Sequence, residues 1–348
     1  FDGIHVYRFK YFFTKMQKLA YGPGIPANLG TSWFTRFQMP FFAFSQFLFV
    51  KKMIKKINPD VVHVHWALPQ GLSAMFTSIP YIVTTYGGEI FLSKNYKLMW
   101  LIEKIIKKSY KSFAITNGLR KLIYNFGIKS KIYIMPLGVD IKKFYPNIKG
   151  LKEIKKKFCK DNEFMILCVG RLVEKKGIHY LLPAFSDVLK KQPNCNLVIV
   201  GDGYMYDSLI NQAKKLGINH KVTFTKEVNH SELPKYYCAA DLFVLPSIID
   251  TKGDRETQGV VYLEAMACKC PVVGTDTGGI SDVISNKKTG VLVPEKDPKQ
   301  LAEEIIILLK NDKLRKKYSE EGYKNTLKNF NWNDIAKRYL EIYKEILT

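Results

Sequence analysis

The 348-residue chain is 47% apolar, which excludes a disordered polymer and is long enough for two cores. Its formal net charge of +23 sits mostly in residues 1–150, where 22 Lys/Arg face 5 Asp/Glu for a net of +17; residues 151–348 hold 32 against 26, a net of +6. Six cysteines in a chain of this length exclude a disulfide scaffold, and Cys268 and Cys270 have no Cys/His pair at zinc spacing, so reduced thiols, no metal site and a cytoplasmic location are expected.

Taken in chain order, Phe1–Val6 reads as a strand. The run Phe41–Val50, broken by Ser45 and Gln46 and followed by Lys51, Lys52, Lys55 and Lys56, is too short to cross a bilayer. Aromatic and basic residues also alternate over Lys10–Lys18. Apolar-then-basic stretches of this kind either dock on an anionic bilayer or form a core helix with a solvated lysine face. Strands are predicted at Val61–His65, Tyr81–Thr85, Phe113–Thr116 and Ile132–Met135. The segment Leu137–Gly150, punctuated by Pro136, Gly138, Pro146 and Gly150, reads as a join between domains. Beyond it, strands are predicted at Phe164–Val169, Leu197–Val200, Val222–Thr225, Asp241–Leu245, Pro271–Gly274 and Val291–Val293. Between them Ile178–Lys191 and Leu301–Lys310 carry helical periodicity, and a last helix spans about Asn333–Leu347. Alternation of apolar strands with helices implies parallel sheets covered on both faces. The predicted fold is therefore α/β, with two doubly wound, Rossmann-like domains facing a cleft: residues 1–145 with a returning helix 333–348, and residues 146–332.

Ligands of such sheets sit where strands end. At the first strand end of the second half, Gly170, Arg171 and Lys176 precede a helix start near Gly177. Two cations beside a helix N-terminus suit an anion such as a diphosphate, although two solvated surface cations are the plain alternative. A second constellation runs from Asp254 to Met266. Gln258 and Gly259 open a helix, so the amides of Gly259, Val260 and Val261 point outward at its start. Glu264 lies one turn below Val260 on the same face, placed to accept ribose hydroxyls. Glu256, in the preceding loop, reaches the sugar end. An amphipathic helix with two exposed acids is the alternative here. Leu197–Gly203 ends in a Gly-Asp-Gly turn but has Tyr206 where a dinucleotide fingerprint needs its third glycine, which disfavours an oxidoreductase. No nucleic-acid-binding module appears. A nucleotide-sugar epimerase would need an acid/base pair of His and carboxylates, and no clear set is present.

Together these segments, with Ala240-Asp-Leu-Phe-Val-Leu-Pro-Ser247, Pro271–Thr275, Gly278-Gly-Ile280, Asp282-Val-Ile284 and Thr289–Pro294, resemble glycosyltransferase family four, retaining enzymes of GT-B fold. The likeness covers 164–295 closely. It extends less sharply to Asp60–Trp66 and Met135–Phe144. It implies that Arg171 and Lys176 bind the diphosphate of a nucleoside-diphosphate sugar (UDP ahead of GDP), with Gly170 beside them. Glu264 would hold the ribose, Val228 would lie near the base, and Glu256 with the amides of Gln258, Gly259, Val260 and Val261 would hold sugar and phosphate. Catalytic roles thus fall on Glu256, Arg171 and Lys176, without a metal or other cofactor. The basic first half, with its aromatic and apolar stretches, is where the acceptor is expected, a glycan or lipid-linked precursor of cell-surface material met at the inner face of the membrane. Two departures stand out: Tyr86 takes the place of a loop histidine, and Thr257 replaces a glycine. The family opens with a strand, a glycine-rich loop and a helix that are not seen before Phe1, so the natural protein is expected to be longer.

Overall fold

The computed structural model describes residues 3–21, 25–30, 32–146 and 148–348, with backbone only for Pro26 and Ala27. The chain forms two compact units, residues 1–135 with 339–348, and residues 136–338.

The first unit holds a four-stranded parallel sheet of β1 (Val62–His65), β2 (Tyr81–Thr85), β3 (Lys111–Ala114) and β4 (Tyr133–Ile134), paired in sequence order. β3 sits two residues earlier than predicted. Thr116 belongs to the next element, where its Oγ1 accepts the amide hydrogen of Leu119 at 3.1 Å and caps the helix Asn117–Asn125. No strand forms over residues 4–6, where Ile4 and Val6 are exposed without a sheet ladder; Phe1 and Asp2 of that predicted strand lie outside the described residues. The stretch 37–56 lies inside one long helix, Trp33–Ile57, whose N-cap is Ser32.

The second unit holds six parallel strands: β5 (Phe164–Val169), β6 (Cys195–Val200), β7 (Val222–Lys226), β8 (Leu242–Leu245), β9 (Val272–Thr275) and β10 (Val291–Val293). Their spatial order is β10-β9-β8-β5-β6-β7, so the chain winds one way from β5 and then the other. Leu167, Ile199, Phe243 and Val244 are fully buried between the helix layers, the burial that near-continuous apolar strands require. The helix Ile178–Lys191 matches its predicted span. The helix Pro298–Lys310 starts three residues early because Asp297 caps it, accepting the Gln300 amide at 3.0 Å.

The division between units falls just before the segment read as the join, ten residues ahead of the domain limit at 145/146. Val139 donates to the Phe330 carbonyl at 2.8 Å and Phe144 is buried in the second core, so residues 136–145 pack with the C-terminal unit. The last helix, Trp332–Leu347, begins in the second unit, and its final turns count with the first. There Tyr343 Oη meets His63 Nδ1 at 2.6 Å and Tyr339 Oη meets Thr84 Oγ1 at 3.1 Å.

Candidate active site

β5 and β8 are neighbours at the point where strand order reverses, the place where open α/β sheets receive ligands. β5 runs into Gly170 and Arg171, then a single 3-10 turn at Glu174–Lys176, then the helix Ile178–Lys191. Gly177 joins the last two at φ +65°, and a Cβ there would lie 1.8 Å from the Pro246 carbonyl oxygen. Only glycine combines this dihedral with so close an approach of the loop after β8.

That approach brings Lys176 onto Glu256. The ammonium hydrogen-bonds Glu256 Oε2, and the two side chains are only 12% and 14% exposed. Burial pushes the Glu256 carboxyl up, but Lys176, then Lys175 and Arg171, outweigh it and hold the group below its ordinary value. The Glu256 carboxylate is therefore favoured in its charged form. The Glu256 backbone is fixed from the other side: Gly279 N donates to its carbonyl at 3.1 Å, and a Cβ on Gly278 (φ +63°) would fall 1.9 Å from the same oxygen. The Glu256 side chain lies over the opening of the helix Val260–Ala267, since a Cβ on its N-cap Gly259 would sit 3.4 Å from Glu256 Cγ. Arg171 is exposed, and among the described residues its guanidinium has no hydrogen-bond or ion-pair partner. An ion pair, an open guanidinium and the free amides of a helix start thus share one strand-end region. Such a set stabilises a developing polyanion.

Glu264, one turn into the helix, is 7% exposed. Tyr237 Oη donates to its Oε2 at 2.9 Å, and His230 Nε2 lies 3.4 Å from its Oε1. Lys143 Nζ contacts His230 Nδ1. An ammonium only donates, so Nδ1 is the acceptor and Nε2 carries the hydrogen toward Glu264. Burial raises the Glu264 pKa, opposed by Tyr237, His230 and Lys143. Gln258 is 1% exposed, with its side chain committed to the backbone: Nε2 donates to Leu137 O and Oε1 accepts from Leu137 N, both at 2.8 Å. Its main chain alone is left for a ligand. Val228 is half-buried in the loop after β7, two residues before His230.

All ten site residues singled out in the sequence lie in this unit. Lys143, His230 and Tyr237 were not among them. His230 shares the Val228 loop, which is a signal in the sequence. Lys143 lies in the segment read as a linker, and Tyr237 on the helix Leu233–Ala239 has the look of an ordinary core residue.

Residues 151–325 match the family described as glycosyl transferases group 1, and residues 9–143 match glycosyltransferase family 4. The chain belongs to the group 1, family four glycosyltransferases. An uncharacterized glycosyltransferase of Methanocaldococcus jannaschii is 30% identical over 302 residues, covering 82% of this chain and 75% of the relative. A GDP-mannose-dependent alpha-(1-6)-phosphatidylinositol monomannoside mannosyltransferase of Mycolicibacterium smegmatis is 30% identical over 218 residues, 62% of this chain and 57% of the relative. The Anabaena protein HepE, solved with UDP and glucose, superposes with a TM-score of 0.73 at 18% identity, over 85% of this chain and 80% of that one. The glycosyltransferase thus has the GT-B fold of two Rossmann-like domains.

In its first unit the carboxyl ends of β1 and β2 also carry polar groups. Tyr86 Oη lies 2.5 Å from His65 Nδ1, and Tyr86 N donates to Glu89 Oε1 at 2.9 Å. Trp66, directly after β1, has φ +80°, a dihedral that a bulky residue adopts only when its surroundings impose it. Burial, then the neighbouring His65, pushes the His63 pKa down to about 3. Among the described residues no helix is long and apolar enough to cross a membrane, and no group of three His, Cys, Asp or Glu could hold a metal.

Proposed function

We propose that this glycosyltransferase is a retaining hexosyltransferase that uses a nucleoside-diphosphate sugar, UDP-linked in preference to GDP-linked. Arg171, Lys176 and the amides of Gln258, Gly259, Val260 and Val261, with Gly170 alongside, receive the diphosphate. Glu264 takes the ribose hydroxyls, Val228 borders the base, and Glu256 orients the sugar. The bond from the anomeric carbon to the diphosphate oxygen breaks, a bond to the acceptor oxygen forms, and the acceptor proton passes to the departing phosphate. The observation that carries this reading is the buried Lys176–Glu256 pair at the start of the helix Val260–Ala267, with Arg171 open beside it. Glu256 held in an ion pair is suited to orienting hydroxyls rather than to acting as nucleophile. The UDP and glucose in the Anabaena structure support the donor class, and the GDP-mannose relative is why the base is tested directly.

The C-terminal unit is then the donor domain and the N-terminal unit the acceptor domain, acting on a glycan or lipid-linked precursor of cell-surface material. The phosphatidylinositol-linked acceptor in the mycobacterial relative's name supports a lipid. So does the helix Trp33–Ile57, which exposes Trp33, Phe37, Phe41, Phe44 and Leu48 at i+3/i+4 spacing ahead of Lys51, Lys52, Lys55 and Lys56. Such a face suits docking at the anionic inner surface of a membrane from the cytoplasm.

Thermal shift against UDP-, GDP- and ADP-sugars tests the donor assignment. A UDP-sugar at a hundred times its Kd stabilises the bound unit by about 2.7 kcal/mol. A shift with GDP-sugars alone reassigns the base, and no shift with any of them rejects the donor site.

A further inference from the structure

The first unit contains a cavity of about 480 Å³ whose lining includes none of the residues proposed above to bind the donor. Its size falls in the range of roughly 300–1,000 Å³ typical of small-molecule sites. The inner side of the helix Trp33–Ile57 contributes Met39, Pro40 and Ala43 to its wall. The segment after β1 contributes Leu72, and the helices Gly88–Asn95 and Met99–Lys108 contribute Leu92 and Leu101. The lining is overwhelmingly apolar, so hydrocarbon is favoured over water against this wall.

One carboxylate interrupts it. Glu89 lines the cavity and is 2% exposed. Its Oε1 is held by the Tyr86 amide at 2.9 Å, whereas its Oε2 is buried and has no hydrogen-bond partner. A buried oxygen left unpaired costs about 1–3 kcal/mol, and a bound hydroxyl would recover it. Burial pushes the Glu89 carboxyl up to about 7, only partly offset by the Tyr86 amide on Oε1. The carboxyl stands beside Tyr86, at the carboxyl end of β2 where a parallel sheet presents its loops. Arg36, exposed on the helix whose other side bears the apolar stripe, lies at the wall as the cavity's cation.

We propose that this cavity takes the hydrocarbon chain of a hydroxyl-bearing lipid, with a head-group hydroxyl on Glu89 Oε2. The proposal rests on the reading of the protein as a glycosyltransferase and narrows its acceptor to a lipid. The free oxygen fixes the polar end, and the leucine and methionine wall fixes the chain.

The test titrates the protein with the fluorescent fatty acid cis-parinaric acid, then displaces it with 1-monolauroylglycerol or with methyl laurate, which has the same chain and no hydroxyls. We expect saturable binding of one equivalent, and displacement about tenfold tighter by the glyceride, the value of one hydrogen bond to a buried group. Glu89→Leu should abolish that preference. Ala43→Trp, which directs a large ring inward from a half-buried helix position, should abolish binding, and Leu72→Trp should do so independently. Saturable binding that persists in folded Ala43→Trp and Leu72→Trp overturns the proposal, as does equal displacement by the two esters. So does the absence of saturable binding. The ester comparison on the unsubstituted protein decides even if both tryptophan variants misfold. A UDP-sugar thermal shift in the same samples separates the two readings. If that shift is present and parinaric acid does not bind, only the lipid site fails; if parinaric acid binds and no nucleotide sugar shifts melting, the donor assignment fails.

Discussion

Replacing Glu89 with glutamine removes a titrating carboxyl while keeping an oxygen to accept the Tyr86 amide. Burial raises this pKa from 4.5 to about 7. The folded chain therefore keeps a proton that the unfolded chain releases between those values, and stability falls as pH rises through that window, then levels above pH 7. At about 1.4 kcal/mol per pKa unit, the loss between pH 5 and pH 8 is about 2.5 kcal/mol. His63 works in the opposite sense. Its pKa is lowered from 6.5 to about 3, so the unfolded chain takes up a proton below pH 6.5 and stability falls as pH falls, by on the order of 2 kcal/mol at pH 5. The two oppose each other in the wild type, whose own profile therefore isolates neither group. The difference between Glu89→Gln and wild type isolates the carboxyl: the variant should gain about 2–3 kcal/mol relative to wild type on going from pH 5 to pH 8. Urea unfolding followed by tryptophan fluorescence measures this, because Trp33, Trp66 and Trp100 lie in the first unit and only Trp332 lies in the second. A variant whose stability runs parallel to wild type at every pH would show that Glu89 is not held protonated by burial.

Lys176→Ala should lower turnover by roughly 10²-fold or more, the usual cost of one electrostatic contact to a developing charge; near-normal kcat from purified, folded variant rejects the diphosphate role. Gly278→Ala should destabilise the second unit by more than 2 kcal/mol and weaken UDP-sugar binding, because its Cβ would overlap the Glu256 carbonyl oxygen. Gly127→Ala, with φ +93° and nothing within 4 Å, should cost only about 1–2 kcal/mol of backbone strain. Equal melting losses would deny that the Gly278 turn clamps Glu256. Tyr237→Phe removes one of the hydrogen bonds that hold Glu264, and should raise KM for the donor about tenfold with kcat little changed. An unchanged KM would place the ribose elsewhere.

The strands of the second unit were legible because their burial on both faces demands unbroken apolar runs. β5 and β10 fall on their predicted bounds, and β9 shifts by one residue because Pro271 has no amide hydrogen to give the ladder. The start of the helix Val260–Ala267 was legible from Gln258 and Gly259, and the shared face of Val260 and Glu264 from their spacing, since one turn of helix fixes which side chains lie together. What pattern could not supply were partners distant in sequence. The spacing gives Gln258 a main-chain role only, and where its side chain goes is invisible until Leu137, 121 positions away, takes both ends of the side-chain amide. Lys143 reads as a linker cation until Phe144 enters the second core and brings it to His230. Local sequence decided which segments are strands and helices, because propensity and burial period act over a few residues. Only the folded chain decided which charges are paired, which carboxyl oxygen is buried without a partner, and where space is left inside, because those depend on residues distant in sequence that meet only in the folded unit.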